Sequence, residues 1–257
     1  MPETNILTVQ GLNVNYGNFQ AVKDVSFDVR KGEIFGLLGP NGAGKTSALS
    51  AIEGLVKSQS GSIMVDGYNA QEKPLHARAS LGVQLQSTSF QAELYVIEVL
   101  QLYAGVYGLR LSKNDLLAML RSINLEDQAQ KKFGQLSGGQ QQRVSLLIAT
   151  IHNPRLVLLD EPTTGLDPQS RRQLWERIEA IREKGHAILL TTHSMEEAES
   201  VCDRIAIIDH GKIVEIDTPQ ALIDKHRNEP EVIAVSRRGK ITLEDVFIAL
   251  TGKEIRE

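Results

Sequence analysis

Residues Gly39, Pro40, Asn41, Gly42, Ala43, Gly44, Lys45 and Thr46 satisfy the pattern G-x-x-x-x-G-K-[ST], with Ser47 following. Such a run holds phosphate groups for physical reasons. Glycines admit backbone conformations closed to other residues and let the chain approach phosphate oxygens closely. Successive N–H groups then converge on one concavity, with the positive end of a helix behind them. Lys45 is expected to reach the terminal phosphates of a polyphosphate, and the Thr46 hydroxyl to ligate Mg2+. The setting supports the match. Residues 33–38 before the loop read as a buried strand, and residues 46–55 after it as a helix. A glycine-rich turn without chemistry needs no such flanks.

A second group of residues supplies acids. Leu156, Val157, Leu158 and Leu159 form an apolar run suited to a central strand buried on both faces. The run ends at Asp160 and Glu161. Ligands in open α/β sheets bind at the carboxyl ends of strands, so both acids are placed to face the phosphates. Adjacent carboxylates beside a polyphosphate repel it unless a divalent cation lies among them. Asp160 is the natural partner of that Mg2+, through a water, and Glu161 is then placed to polarise an attacking water as general base. A solvated acidic turn is the bland alternative, and the phosphate loop upstream argues against it.

Two more polar residues stand at strand ends. Gln86 closes residues 81–86, and a glutamine can bond a metal-bound water through its carbonyl and another group through its amide. Gln84 shares a face with Gln86 under period-2 alternation, so spacing alone does not separate them. His193 follows a buried-strand pattern at residues 187–190, where an imidazole could bond the terminal phosphate and orient Glu161. The other histidines, His76, His152, His186, His210 and His226, lie in turns or polar stretches and read as solvated. None has metal-ligand spacing with a cysteine or another histidine.

Between the two groups lies the pentapeptide Leu136-Ser137-Gly138-Gly139-Gln140. With its neighbours it closely resembles the signature of an ABC-type ATP-binding subunit, the nucleotide-binding half of a membrane transporter. The resemblance runs through about the first 217 residues, with each motif in family order. It implies that Tyr16 stacks on adenine, that residues 39–47 are the Walker A loop and that Gln86, rather than Gln84, is the Q-loop glutamine, which also contacts the metal. It implies that Ser137, Gly138, Gly139 and Gln140 contact the γ-phosphate held by the opposite subunit. Asp160 and Glu161 resemble the Walker B pair, Asp167 the D-loop aspartate and His193 the H-loop switch. The implied assembly is a head-to-tail dimer, a homodimer or a pair with a paralogous ATPase, closing around two ATP molecules and reopened by hydrolysis. The residues agree with this. Ser137 stands at the start of an expected helix over residues 138–151, whose free N–H groups suit a phosphate as well as a cap.

Subfamily features are fewer. Gly165-Leu166-Asp167-Pro168, and Thr242-Leu243-Glu244-Asp245-Val246-Phe247 near the C-terminus, resemble the stand-alone ATPase subunits of ABC-2-type exporters. Tyr95 stands where that subgroup usually has threonine, and Gln141 where methionine is common. Neither touches the proposed chemistry.

The elements that must position these residues can be read from order and composition. The 257 residues are enough for one large domain or two lobes, and the net charge of −4 is a poor footprint for binding nucleic acid. Lys131-Lys132, Arg171-Arg172 and Arg237-Arg238 are short basic pairs that read as solvated faces. A single cysteine, Cys202, permits no internal disulfide and fits a reducing compartment. No signal peptide and no run near the ~20 apolar residues of a membrane span is read. The expected place is therefore the cytoplasm, peripheral on the inner face of the cell membrane.

Short strands are expected at 6–14, 25–29, 33–38 and 62–66, helices at 92–107 and 113–123, then strands at 156–159, 187–190 and 205–208 alternating with helices. The fold class is α/β: a RecA-like P-loop ATPase core, an antiparallel β subdomain and an inserted α-helical subdomain, about residues 88–152, bearing the signature. Residues 1–217 form the ATP-binding domain and 218–257 a C-terminal extension. In that extension Leu243, Val246, Phe247 and Leu250 share one helical face, suited to packing on its own domain or on a second subunit. Trp175 reads as packing.

Function follows the resemblance: an ATP hydrolase powering export by a separate integral-membrane permease, which docks on the helical lobe. An ABC-type engine for membrane signalling or cell-wall remodelling would carry the same motifs. A DNA-repair ATPase would separate its Walker motifs with long coiled coil, and no sustained heptads are present. A translation-associated ABC protein would carry two cassettes, and this chain has one. Cargo is not written in these residues.

Overall fold

The computed structural model describes residues 4–84, 90–236 and 241–252 of the chain. It opens with the hairpin β1 (Asn5–Tyr16) and β2 (Phe19–Arg30), after which β3 (Ile34–Leu38) leads into α1 (Lys45–Ile52). Then come β4 (Ser60–Val65), β5 (Tyr68–Asn69), α2 (Pro74–Ala79) and β6 (Leu81–Gln84). A helical stretch carries α3 (Val96–Val106), α4 (Lys113–Ser122) and α5 (Gly138–Ala149). Alternation returns with β7 (Leu156–Asp160), α6 (Pro168–Glu183), β8 (Ala187–Thr192), α7 (Met195–Val201), β9 (Arg204–Asp209) and β10 (Lys212–Asp217). The last elements are α8 (Pro219–His226), α9 (Pro230–Val235) and α10 (Leu243–Thr251).

Two sheets result. One is antiparallel in the order β2-β1-β4-β5, and the other has the order β10-β9-β3-β8-β7-β6. The second is parallel from β9 to β6, with β10 antiparallel at its edge. Period-2 alternation divides its side chains between two cores. Leu156 and Leu158 of β7 pack with Phe35, Leu37, α1 and the inner face of the antiparallel sheet. Val157 and Leu159 pack on the opposite side with Leu174 and Ile178 of α6 and Phe247 of α10. A third core, with Val99, Leu120, Phe133 and Val144 at its centre, belongs to α3, α4 and α5. Among the described residues no helix is long and apolar enough to cross a membrane.

Differences from the sequence reading have local causes. The helix expected at 92–107 starts only at Val96. Ala92 and Leu94 give their carbonyls to the N–H groups of Gly134 and Phe133, holding the segment against a neighbouring turn. The strand expected at 187–190 runs on to Thr192, so His193 directly follows a strand. In α10, Leu243, Val246 and Phe247 are fully buried against the chain's own core, and Trp175 packs at the margin of the same core. The pair Arg237-Arg238 lies outside the described residues.

Three histidines read as solvated are engaged instead. His152 Nε2 donates to the Leu81 carbonyl at 2.9 Å while its ring stacks on Tyr107, and His186 Nδ1 donates to the Pro154 carbonyl at 2.6 Å. His226 is buried, with Nε2 2.7 Å from Glu215 and Nδ1 2.9 Å from Glu229. Both ring nitrogens face carboxylates, so both donate and the ring is an imidazolium. Burial alone would lower its pKa, but hydrogen bonds to Glu215 and Glu229 and their charges raise it overall. Burial likewise acts to raise the Glu215 pKa, and hydrogen bonds from Lys225 and His226 bring it below the ordinary value.

The linkage has a definite sign. The imidazolium contributes its full stability below the unfolded histidine pKa of about 6.5 and loses it as pH rises through the raised folded value. Glu215 contributes above the ordinary carboxylate pKa and loses its contribution as pH falls through the lowered one. His226→Ala is therefore expected to cost about 1–3 kcal/mol near pH 6 in urea unfolding, and distinctly less near pH 9. An equal loss at both pH values would contradict a charged ring.

Candidate functional site

The loop from Gly39 to Gly44 joins the end of β3 to the start of α1 and is braced from outside. Gly39 N–H donates to the Thr192 carbonyl, and Gly211 N–H donates to that of Ala43. Gly44 has φ 106°, and a Cβ there would lie 2.5 Å from the Ala21 carbonyl oxygen, so no other residue fits. The first helical bond runs from Ala48 N–H to Gly44 O, leaving the N–H groups of Lys45, Thr46 and Ser47 without intrahelical acceptors. Such a helix start can receive an anion.

The Lys45 side chain is only 4% exposed. Its Nζ donates to the carbonyls of Gly39 at 2.7 Å and Pro40 at 3.1 Å, and lies 3.5 Å from Glu161 Oε1. Burial pushes its pKa below that of an ordinary lysine, while Glu161 and Asp160 pull it back up. Thr46 Oγ1 donates to Asp160 Oδ1 at 3.3 Å, bringing a hydroxyl and a carboxylate together at the loop. Two hard oxygen donors in that place fit Mg2+. Behind them, burial and then the nearby charge of Asp160 push the Glu53 carboxyl up to about 7.

One threonine fixes both acids. Thr191, on β8 beside β7, donates through Oγ1 to Asp160 Oδ1 at 2.5 Å and accepts the Glu161 N–H at 2.9 Å. Glu161 needs this support, because its φ of 45° is left-handed, a conformation costing about 1–3 kcal/mol in a non-glycine residue. The strain turns the carboxylate toward Lys45 on one side and His193 on the other. His193 Nδ1 is 3.4 Å from Glu161 Oε1, close but without an aligned hydrogen bond. Two cavities meet there. One, of about 650 Å³, is lined by Gly42, Lys45, Thr46, Glu161, His193 and Phe19, a size within the ~300–1,000 Å³ of small-ligand sites. The other, of about 360 Å³, opens on the far side of Glu161 and His193 toward Arg171 and Glu197.

The remaining expected residues are placed as follows. Tyr16 is half-exposed at the end of β1 and in register with Phe19, and Phe19 is the aromatic that lines the larger cavity. Ser137 caps α5: its Oγ accepts the Gln140 N–H at 3.3 Å, and its N–H donates to Gln140 Oε1 at 3.0 Å. At Gly139 a Cβ would lie 2.4 Å from Ser170 Oγ, so this glycine lets α5 approach the start of α6. Asp167 caps α6, accepting the N–H groups of Gln169 and Ser170 at 3.0 Å, and Ser170 holds its pKa below the ordinary value. None of the signature residues lines the larger cavity. Gln86 lies outside the described residues. Gln84 is buried and donates to Gln142 Oε1 at 2.6 Å, which occupies its amide within the fold. Sequence reasoning missed Thr191 and Phe19. The hint for Thr191 was a hydroxyl pair, Thr191-Thr192, ending an apolar strand just before a histidine.

Comparison with known proteins gives a consistent result. Residues 22–164 match the ABC transporter family. A "Nod factor export ATP-binding protein I" of Mesorhizobium japonicum is 39% identical, covering 96% of this chain and 87% of that protein. The "Linearmycin resistance ATP-binding protein LnrL" of Bacillus subtilis is 38% identical over 86% of this chain and 71% of that protein. A solved structure described as the ATP binding subunit of an ABC transporter superposes with a TM-score of 0.82 at 30% identity, covering 95% of this chain and 99% of that one.

Thr191→Val tests the geometry. Loss of the hydroxyl is expected to slow nucleotide hydrolysis by about tenfold through misplaced carboxylates. It should also lower the free energy of unfolding by about 1–3 kcal/mol through the orphaned Glu161 N–H. Phosphate release and urea titration read the two effects. Unchanged hydrolysis would mean that Asp160 and Glu161 keep their places without it.

Proposed function

The chain belongs to the ABC transporter family, and on that premise we propose that it is the ATP-hydrolysing subunit of an exporter, closing head-to-tail with a second copy or a paralogous ATPase. The observation that carries this reading is the convergence of Lys45 Nζ, the Glu161 carboxylate and the His193 ring in one cavity beside the phosphate loop. Export is supported by relatives named for Nod factor export and linearmycin resistance.

In the proposed reaction the N–H groups at the start of α1 receive the phosphates, and Lys45 exchanges the carbonyls of Gly39 and Pro40 for phosphate oxygens. Mg2+, held by Thr46, Asp160 and the Q-loop residue Gln86, would neutralise charge on the β- and γ-phosphates. Glu161 accepts the proton of the attacking water, and His193 steadies Glu161 and contacts the γ-phosphate. Tyr16 stacks on adenine with Phe19 beside it.

The cavity of one chain is lined by none of its own signature residues. In the proposed dimer Ser137, Gly138, Gly139 and Gln140 of the second copy complete it, their helix start having the chemistry of an anion site. Asp167 then lies at the contact between copies. The helical lobe, inserted at about residues 88–152, turns with the signature, and the extension assigned to residues 218–257 packs α8, α9 and α10 on the core. The permease is a separate membrane protein, and the half-exposed Leu102 and more exposed Val106 of α3 supply apolar surface for it on this lobe. Through it the subunit sits peripherally on the inner face of the cell membrane.

Glu161→Gln keeps the shape of the site and removes the base. In saturating Mg-ATP this variant is expected to run as a dimer by light scattering, and in ADP as a monomer. A variant that binds ATP yet stays monomeric would overturn the proposed engine.

A further inference from the structure

Glu197, on α7, is a buried carboxylate that the reaction above does not use. Its Oε1 accepts the Thr163 hydroxyl at 2.6 Å and lies 3.7 Å from Arg171 Nε, and its Oε2 accepts the Thr192 hydroxyl at 3.1 Å. Its side chain lines the smaller cavity behind Glu161 and His193. These partners come from three separate segments. Thr163 stands two residues after Glu161, Thr192 immediately precedes His193, and Arg171 belongs to the helix that Asp167 caps.

The Thr192 contact has a specific consequence. While its hydroxyl donates to Glu197, the same oxygen accepts the Ser194 N–H at 2.9 Å, so the two residues flanking His193 are bonded to one another. The Ser194 hydroxyl in turn accepts the Glu197 N–H at 3.3 Å. The turn that presents the imidazole is thus tied at Thr192 to the Glu197 carboxylate and at Ser194 to the Glu197 backbone N–H. On the other side, Thr163 gives its carbonyl to the Leu166 N–H, and Thr164 N–H bonds to the Glu161 carbonyl. Glu197 therefore grips the loop leaving Glu161 and the turn carrying His193 together. Their reacting groups are the pair separated by 3.4 Å.

We propose that Glu197 is a positioning residue for hydrolysis, setting His193 against Glu161 by bonding Thr192 and Thr163 at once. It touches no phosphate and transfers no proton. A carboxylate suits the task because it is acceptor-only and can take two hydroxyls and a guanidinium from different directions. The proposal rests on the reading that His193 serves the reaction, and the test separates the two.

The experiment measures kcat and KM for Mg-ATP with the full chain, for Glu197→Ala, Glu197→Gln, His193→Ala and the double variant Glu197→Ala/His193→Ala. Thermal unfolding establishes that each is folded. Glu197→Ala is expected to lower kcat by about 10- to 100-fold through misplacement, with KM within about twofold of wild type. Glu197→Gln, which keeps one carbonyl acceptor, should recover much of that loss. In the Glu197→Ala background His193→Ala should cost far less than it does alone, because the imidazole is already out of place. Should Glu197→Ala fail to fold, Thr163→Val carries the same expectation, since it removes the hydroxyl joining Glu197 to the loop that leaves Glu161. Losses that multiply independently, or a wild-type kcat in either variant, overturn the positioning role alone. A wild-type kcat in His193→Ala overturns the role of His193 and this proposal with it.

Discussion

A buried lysine governs this site. The Lys45 ammonium is nearly excluded from water, and such a charge is tolerated only when fixed dipoles and an opposite charge replace its hydration. Here the replacements are the carbonyls of Gly39 and Pro40 and the carboxylate of Glu161. The cation is stationed beside a helix start whose Lys45, Thr46 and Ser47 N–H groups lack intrahelical acceptors, so the cavity suits negative charge. In the proposed reaction the ion pair between Lys45 and Glu161 is the contact that a polyphosphate displaces.

The second requirement is that two strands keep their carboxyl ends in register. β7 delivers Asp160 and Glu161, and β8 delivers Thr191, Thr192 and His193. The parallel pairing aligns Asp160 with Thr191, which lets one hydroxyl hold one carboxylate and the next residue's N–H. Both strands are apolar and buried on both faces, so their alignment is enforced by two cores at once. The left-handed backbone of Glu161 is sustained by that surrounding rigidity. The signature helix is fastened to one of those cores by Leu146, by the close approach of Gly139 to Ser170 and by the buried bond between Gln84 and Gln142. The helical lobe keeps a core of its own beside these ties.

What the sequence made legible was contiguous. The phosphate loop and the acidic pair each lie within a few residues, so spacing and flanking periodicity marked them, while the signature was marked by its resemblance alone. The buried strands and the amphipathic stripe of α10 were legible because burial writes itself as periods of two and 3.6. Thr191 and Glu197 were not, since each acts through partners that only the tertiary fold brings near. The histidines show the same limit: His226 lies in a polar stretch, yet carboxylates from a strand and a later turn enclose it. Gln84 was inseparable from Gln86 by alternation, and only packing against α5 shows where its amide is committed. Phe19 escaped notice because the hairpin, not the sequence order, carries it to the mouth of the cavity.

In the proposed dimer a nucleotide is shared between two copies, and subunit complementation tests that most directly. Lys45→Ala disables the loop and Ser137→Arg blocks the signature, so each pure population is expected to be inactive. In a mixed dimer one of the two sites keeps an intact loop from one protomer and an intact signature from the other. Mixing equal amounts should restore ATP hydrolysis to roughly a quarter of the wild-type rate, since half of random dimers are mixed and each holds one whole site. A mixture as inactive as its components, with dimers shown to exchange, would contradict a shared site.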